Sequence, residues 1–179
     1  MHRTARWSAW DGSGLEVAKL SIGPQGIQAV GEISAEPGIA PWAQYVLACD
    51  AGWRTLDARI QLADGRQLAL SSDGAGSWTR DGKPAPDLAG AIDIDLSGTP
   101  LTNTLPIRRL GLALGSRARI ACAHVHLPSL AVRLDPQRYT RLGERRYHFE
   151  SPAYGFARDI DVDDDGLVVS YPGMFRRVG

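Results

Sequence analysis

Two cysteines, Cys49 and Cys122, are all that the 179 residues contain, so no disulfide framework staples the chain. Both thiols are expected reduced and buried, as small hydrophobes. An excess of charge is also missing, because twenty basic side chains offset twenty acidic ones. No global field then draws nucleic acid or an anionic membrane surface, and neither is expected as a partner. No apolar run approaches the roughly eighteen residues of a membrane helix. The basic start Met1–Trp7 leads into no apolar stretch of signal-peptide length. A cytoplasmic protein without integral membrane contact is the expectation.

Signatures that would fix a reaction are missing too. There is no Gly-x-Ser-x-Gly elbow, phosphate loop or dinucleotide fingerprint, so no cofactor is implied. The acidic run Asp159, Asp161, Asp163, Asp164, Asp165 lacks the sixth-position glycine and closing glutamate of a calcium loop. It reads as a solvated strand face that ends in an Asp164-Asp165-Gly166 hairpin turn. His124 and His126, two apart on a strand, share a face, but no third zinc ligand is patterned near them. No metal is expected. Neither cysteine has a base that the sequence places beside it, and a nucleophilic thiol needs one.

What the chain does have is period-two alternation broken by turn chemistry. At 44% apolar, one domain spanning residues 1–179 can bury a sizeable core. Strands are expected at Arg6–Trp10, Leu15–Ile22, Ile27–Ser34, Tyr45–Asp50, Trp53–Leu62, Gln67–Ser72, Ser77–Arg80 and Ala91–Leu96. After these come Arg117–Leu127, Leu130–Leu134, Arg138–Leu142, Arg145–Ser151, Phe156–Val162 and Leu167–Tyr171. Within Trp53–Leu62 the alternation sets Leu56, Ala58, Ile60 and Leu62 against Thr55, Asp57, Arg59 and Gln61. One short helix is expected over Thr102–Leu110. Thr102, Asn103 or Thr104 would cap it, Pro106 would lie in its first turn, and Gly111 would end it. The fold class is therefore mainly β, a single-domain antiparallel sandwich or barrel of about ten to twelve strands with one short helix; curled around that helix, the sheet would be a strongly curved, incomplete barrel. Such a cupped sheet holds ligands in its mouth.

The least generic stretch is Asp95–Leu112, DLSGTPLTNTLPIRRLGL. It sets polar turn formers, two prolines and two arginines among leucines, which is costly unless the polar groups have partners. Arg108 and Arg109 admit two readings. They tie the helix to carboxylates such as Asp93, Asp95 or Asp50, or they stand with Asn103 and Thr104 at the rim of the cup and face a hydroxyl-rich or anionic headgroup. Trp53 and Tyr171 are candidates to stack on a sugar or line an acyl slot. Arg158 shares its expected strand face with Phe156, Ile160 and Val162, so it is either ion-paired inside or turned toward a cavity. The candidate ligand-binding set is thus Trp53, Asp95, Asn103, Thr104, Arg108, Arg109, Arg158 and Tyr171. An alternative makes the protein an enzyme on a small sugar-bearing or lipid-like ligand. Asp93 and Asp95, two strand positions apart, would then act with Arg108 and Arg109.

A resemblance rests on several of these segments. They are Cys49-Asp50-Ala-Gly-Trp53-Arg54-Thr55, Gly76-Ser-Trp78-Thr-Arg-Asp81-Gly82, Asp93-Ile-Asp95-Leu and the Thr99–Leu110 core. To these add Gln137–Leu142, Arg145-Arg-Tyr147 and Gly166–Gly173. Together they resemble the "Putative glycolipid-binding" family of bacterial proteins, over roughly Trp7 to Val178. The pattern departs at Ala91, where the family is expected to carry cysteine. The resemblance implies an incomplete β-barrel like that of envelope lipoprotein carriers, which hold acyl chains against a helix-plugged sheet. It further implies non-catalytic binding of an amphipathic small molecule, a glycolipid or lipid. It brings no catalytic residues.

Overall fold

The computed structural model describes residues 1–179. Fifteen strands form one sheet around a single α-helix. The first eight make an antiparallel meander: β1 (His2–Ala9), β2 (Leu15–Gly23), β3 (Gly26–Ser34), β4 (Ala43–Cys49), β5 (Thr55–Leu62), β6 (Gln67–Ser72), β7 (Trp78–Arg80) and β8 (Lys83–Pro84). β9 (Asp93–Leu96) then opens the second half, followed by α1 (Leu101–Leu110), β10 (Arg117–His126) and β11 (Ala131–Gly143). β12 (Arg146–Ser151), β13 (Phe156–Val162), β14 (Val168–Tyr171) and β15 (Phe175–Arg177) complete it.

The two halves meet where the chain ends meet. Trp7 lies opposite Arg177 in the β1–β15 ladder, and the Trp7 indole N–H donates to the Val168 carbonyl at 2.8 Å. Every ladder is antiparallel except β9–β10, which is parallel. Parallel neighbours need a crossover, and α1 is that crossover. Its position follows: a helix between two parallel strands packs back onto the sheet they share.

The free edges are β8 and β9, so the sheet is open, but it is not flat. Thr55 at the start of β5 donates its N–H to Ile92 O at 3.2 Å, and its hydroxyl accepts from Ile94 N–H at 3.1 Å. The far edge has therefore curled round until β9 touches β5. Inside the curl, Trp7, Leu20, Tyr45, Leu47, Ile60 and Leu70 join Leu101 and Leu105 of α1 in one apolar cluster. Ile107, at the helix's other end, joins a second cluster with Tyr139, Phe149, Ile160 and Tyr171. The helix bridges both.

Three expectations need correction. Leu130–Leu134 and Arg138–Leu142 are one continuous strand, β11, running through Pro136. The ladder to β12 begins only at Arg138, so Pro136 has a strand neighbour on one side, where proline is tolerated. Second, Thr55 is buried and Leu56 exposed, the reverse of the simple alternation. A register shift between Ala48 and Cys49 in the β4–β5 ladder accounts for the swap. Third, additional short strands, among them Lys83–Pro84 and Phe175–Arg177, raise the count above ten to twelve.

Candidate functional site

Along β11, Asp135, Gln137 and Tyr139 alternate inward and are buried. On β12 the inward set is Tyr147, Phe149 and Ser151. Since β12 lies beside β11, and β9 reaches β11 through β10, period two stacks these residues against Asp95 and His124, which are register partners in the β9–β10 pair. A cavity of about 320 Å³ opens among them.

Its polar side is a network centred on Gln137. The Gln137 amide donates to Asp95 Oδ2 at 2.6 Å and to Asp135 Oδ2 at 3.0 Å. Its carbonyl oxygen accepts from the Cys122 thiol at 3.2 Å. Thr102 of α1 donates to Asp95 Oδ1 at 3.2 Å, and Ser151 donates to Asp135 Oδ2 at 2.9 Å. Asp135 is 1% exposed, yet its Oδ1 has no partner. An orphan carboxylate oxygen in such a place costs free energy. Burial raises the pKa of Asp95; His124, Gln137 and Thr102 pull it down and the neighbouring Asp135 adds to the rise.

The other side is aromatic. Tyr171 packs against Phe149, Phe156 and Phe175 with ring centroids 6.2–6.4 Å apart. Tyr154 closes one wall, its hydroxyl 3.1 Å from His124 Nδ1. No lysine or arginine lines the cavity. Two arginines stand over its aromatic walls, Arg133 at 3.9 Å from the Tyr154 ring and Arg158 at 5.2 Å from the Phe156 ring.

The sequence-derived residues divide. Asp95, Asn103 and Tyr171 line this cavity; Asn103 gives its amide to the Tyr139 hydroxyl at 2.8 Å. Thr104 is fully buried in α1 and does not line it. Arg109 is engaged elsewhere, its Nε and Nη2 gripping Asp93 at 2.9 and 2.5 Å. That is the structural tie expected for one arginine. Arg108 is exposed and lies 5.1 Å over the Trp53 ring, and Trp53 itself belongs to the large core cluster. Arg158 is exposed instead of inward. Of the Asp93–Asp95 pair, Asp93 is held by Arg109, whereas Asp95 lines the cavity and is bonded to Gln137 and Thr102. Burial lifts both thiols, Cys49 to about 12 and Cys122 well above its ordinary value. Burial therefore disfavours the thiolate at both positions.

His124, Asp135, Ser151 and Tyr154 were not singled out for this site from sequence. The signal for Asp135 was present: the inward alternation Asp135, Gln137, Tyr139 becomes visible once Pro136 is allowed inside a strand.

Several of the resemblance segments turn out to hold turns. Asp50 Oδ1 accepts from the N–H groups of Gly52 and Arg54, both at 2.9 Å. This fixes the bend in which Trp53 adopts φ +67°. Asp81 Oδ1 likewise accepts from Ala69 N–H at 2.9 Å. No group of three or more His, Cys, Asp or Glu side chains is arranged to hold a metal ion, and no helix is long and apolar enough to cross a membrane.

A family model described as "Putative glycolipid-binding" matches residues 4–177. Among solved structures, the crystal structure of a DUF1089 family protein from Pseudomonas aeruginosa is similar, at 36% sequence identity and a TM-score of 0.79. That match covers 96% of this chain and 92% of the other. No curated protein matches the chain.

Proposed function

The chain belongs to the "Putative glycolipid-binding" family, and on that premise we propose that its cavity binds the head of an amphipathic small molecule, a glycolipid or related lipid, without covalent chemistry. The observation that carries this is the cavity's two-sided lining, with a carboxylate–amide network facing an aromatic cluster. Hydroxyls need acceptors such as the free Asp135 oxygen. The C–H face of a sugar, or the first methylenes of a chain, packs on rings such as Tyr171. At about 320 Å³ the space is at the small end of ligand pockets, which run from roughly 300 to 1,000 Å³. It suits a headgroup, with the tail leaving past the aromatic walls.

Of the residues first drawn from sequence, Asp95, Asn103 and Tyr171 stay in the proposed binding set, joined by His124, Asp135 and Ser151. Arg158 has its place at the mouth, over Phe156. Native mass spectrometry with octyl-chain amphiphiles below their micelle concentrations tests the reading. The expected result is a one-to-one adduct that disappears in Ser151→Leu, a change that pushes a larger side chain toward the cavity. The absence of any adduct, or an adduct indifferent to that change in a folded variant, would overturn it.

A further inference from the structure

The acceptor and charge pattern of the cavity selects among headgroups, and this step rests on the binding role just proposed. Asp95 and Asp135 are the only carboxylates lining the cavity, and no guanidinium or ammonium accompanies them. On α1, Arg109 is paired through Nε and Nη2 with Asp93. Arg133 and Arg158 lie over Tyr154 and Phe156, with their side chains exposed. A phosphate, sulfate or carboxylate head would enter as a further negative charge against two carboxylates, with no lysine or arginine in the lining to receive it.

The count of free acceptors argues against an ammonium as well. Asp95 already accepts from Thr102 on Oδ1 and Gln137 on Oδ2. Asp135 Oδ2 accepts from Gln137 and Ser151. One carboxylate oxygen remains unpartnered, Asp135 Oδ1, in a cavity-lining residue but shielded from solvent, so a ligand group reaches it only as adjacent side chains give way. A primary ammonium carries three donors that must all be satisfied, whereas a hydroxyl donates once.

We infer that the cavity takes an uncharged glycosyl headgroup, one of whose hydroxyls donates to Asp135 Oδ1, and that it excludes anionic heads. The tyrosine and phenylalanine rings opposite then receive the sugar's C–H face, and selectivity comes from the carboxylate.

The test compares octyl β-D-glucoside, octyl phosphate and octylammonium, which share one tail, by calorimetry or native mass spectrometry. Octyl β-D-glucoside is expected to bind more tightly than either charged compound by about tenfold or more, the scale of one hydrogen bond to a charged group. Asp135→Asn sharpens the result. Ser151 and Gln137 both donate to the Oδ2 position, so the asparagine oxygen must sit there and its NH₂ must take the Oδ1 place. A free acceptor becomes a donor and a negative charge is removed. The variant is expected to lose about tenfold in glucoside affinity and to close the gap to octyl phosphate. If octyl phosphate or octylammonium binds the unaltered protein as well as the glucoside does, the inference fails while amphiphile binding stands. If the ranking survives unchanged in folded Asp135→Asn, Asp135 is not the selector and the inference also fails. If none of the three binds, the binding role falls and this inference falls with it. Should the variant not fold, the ranking on the unaltered protein decides alone.

Discussion

Glu16 shows how a single buried group couples the interior to pH. It is 2% exposed on β2, and its Oε1 accepts from the Tyr45 hydroxyl and, at 2.6 Å, from Thr99. Its Oε2 has no partner. Burial moves its pKa from 4.5 to about 7, against the lowering effect of the Thr99 and Tyr45 hydrogen bonds. Between those two values the folded protein holds a proton that the unfolded chain has released. Stability from this group is therefore full below pH 4.5, falls as pH rises, and levels off above about 7. At about 1.4 kcal/mol per pH unit, the loss is about 3 kcal/mol. Glu16→Gln should abolish it: urea unfolding at pH 5 and pH 8 is expected to show a smaller drop in the variant by about that amount. Equal drops in the two proteins would contradict the assignment. Room for this cluster comes from Gly31, where a Cβ would lie 2.1 Å from the Tyr45 ring.

At the scale of an element, α1 shows local signals overridden by tertiary demand. A helix over Thr102–Leu110 was legible, and the observed span is Leu101–Leu110. The expected caps are not caps. Thr102 accepts from Leu96 N–H and donates to Asp95, while Asn103 donates to Tyr139. These polar groups were needed by the sheet, and the first turn is served from outside it by Thr99 Oγ1, which accepts from Leu101 N–H at 2.9 Å. Pro106 consequently falls in the helix interior, beyond the first turn. The C-terminus obeys the local rule, with Gly111 at φ +50° and its N–H on the Ile107 carbonyl. A Cβ at Gly111 would meet nothing within 4 Å, so Gly111→Ala is a conformational test free of clashes. It is expected to lower unfolding stability by about 1–2 kcal/mol, and Gly111→Asn by less; no loss with alanine would show that the left-handed cap is dispensable.

For the whole molecule, alternation and turn residues gave the class of fold, because each strand carries its inward and outward faces in its own sequence. By themselves they do not give the curl, which the family resemblance implies, or the full set of residues that line the cavity. Asp95 and Asp135 are brought together through β10, and no local pattern records that register. Of the two readings open to the arginines, the tie to a carboxylate holds for Arg109, which serves Asp93, while Arg108 covers Trp53. The closure of the curl is equally non-local. It is held where Thr55, fully buried, receives Ile94 N–H and donates to Ile92. Thr55→Val keeps the shape and removes that acceptor, at an expected cost of about 1–3 kcal/mol. Hydrogen exchange should show the Ile94 amide losing protection ahead of the β2–β3 ladder. Uniform protection in the variant would mean that the β5–β9 contact does not hold the edge.

The most direct measurement is a crystal structure of the protein with octyl β-D-glucoside. The account predicts the glucosyl ring inside the cavity, a hydroxyl within hydrogen-bond reach of Asp135 Oδ1 and a ring face against Tyr171. A glucoside found only on the outer face near Val30 and Val46, which are exposed, or an interior that stays empty at saturating ligand, would contradict it.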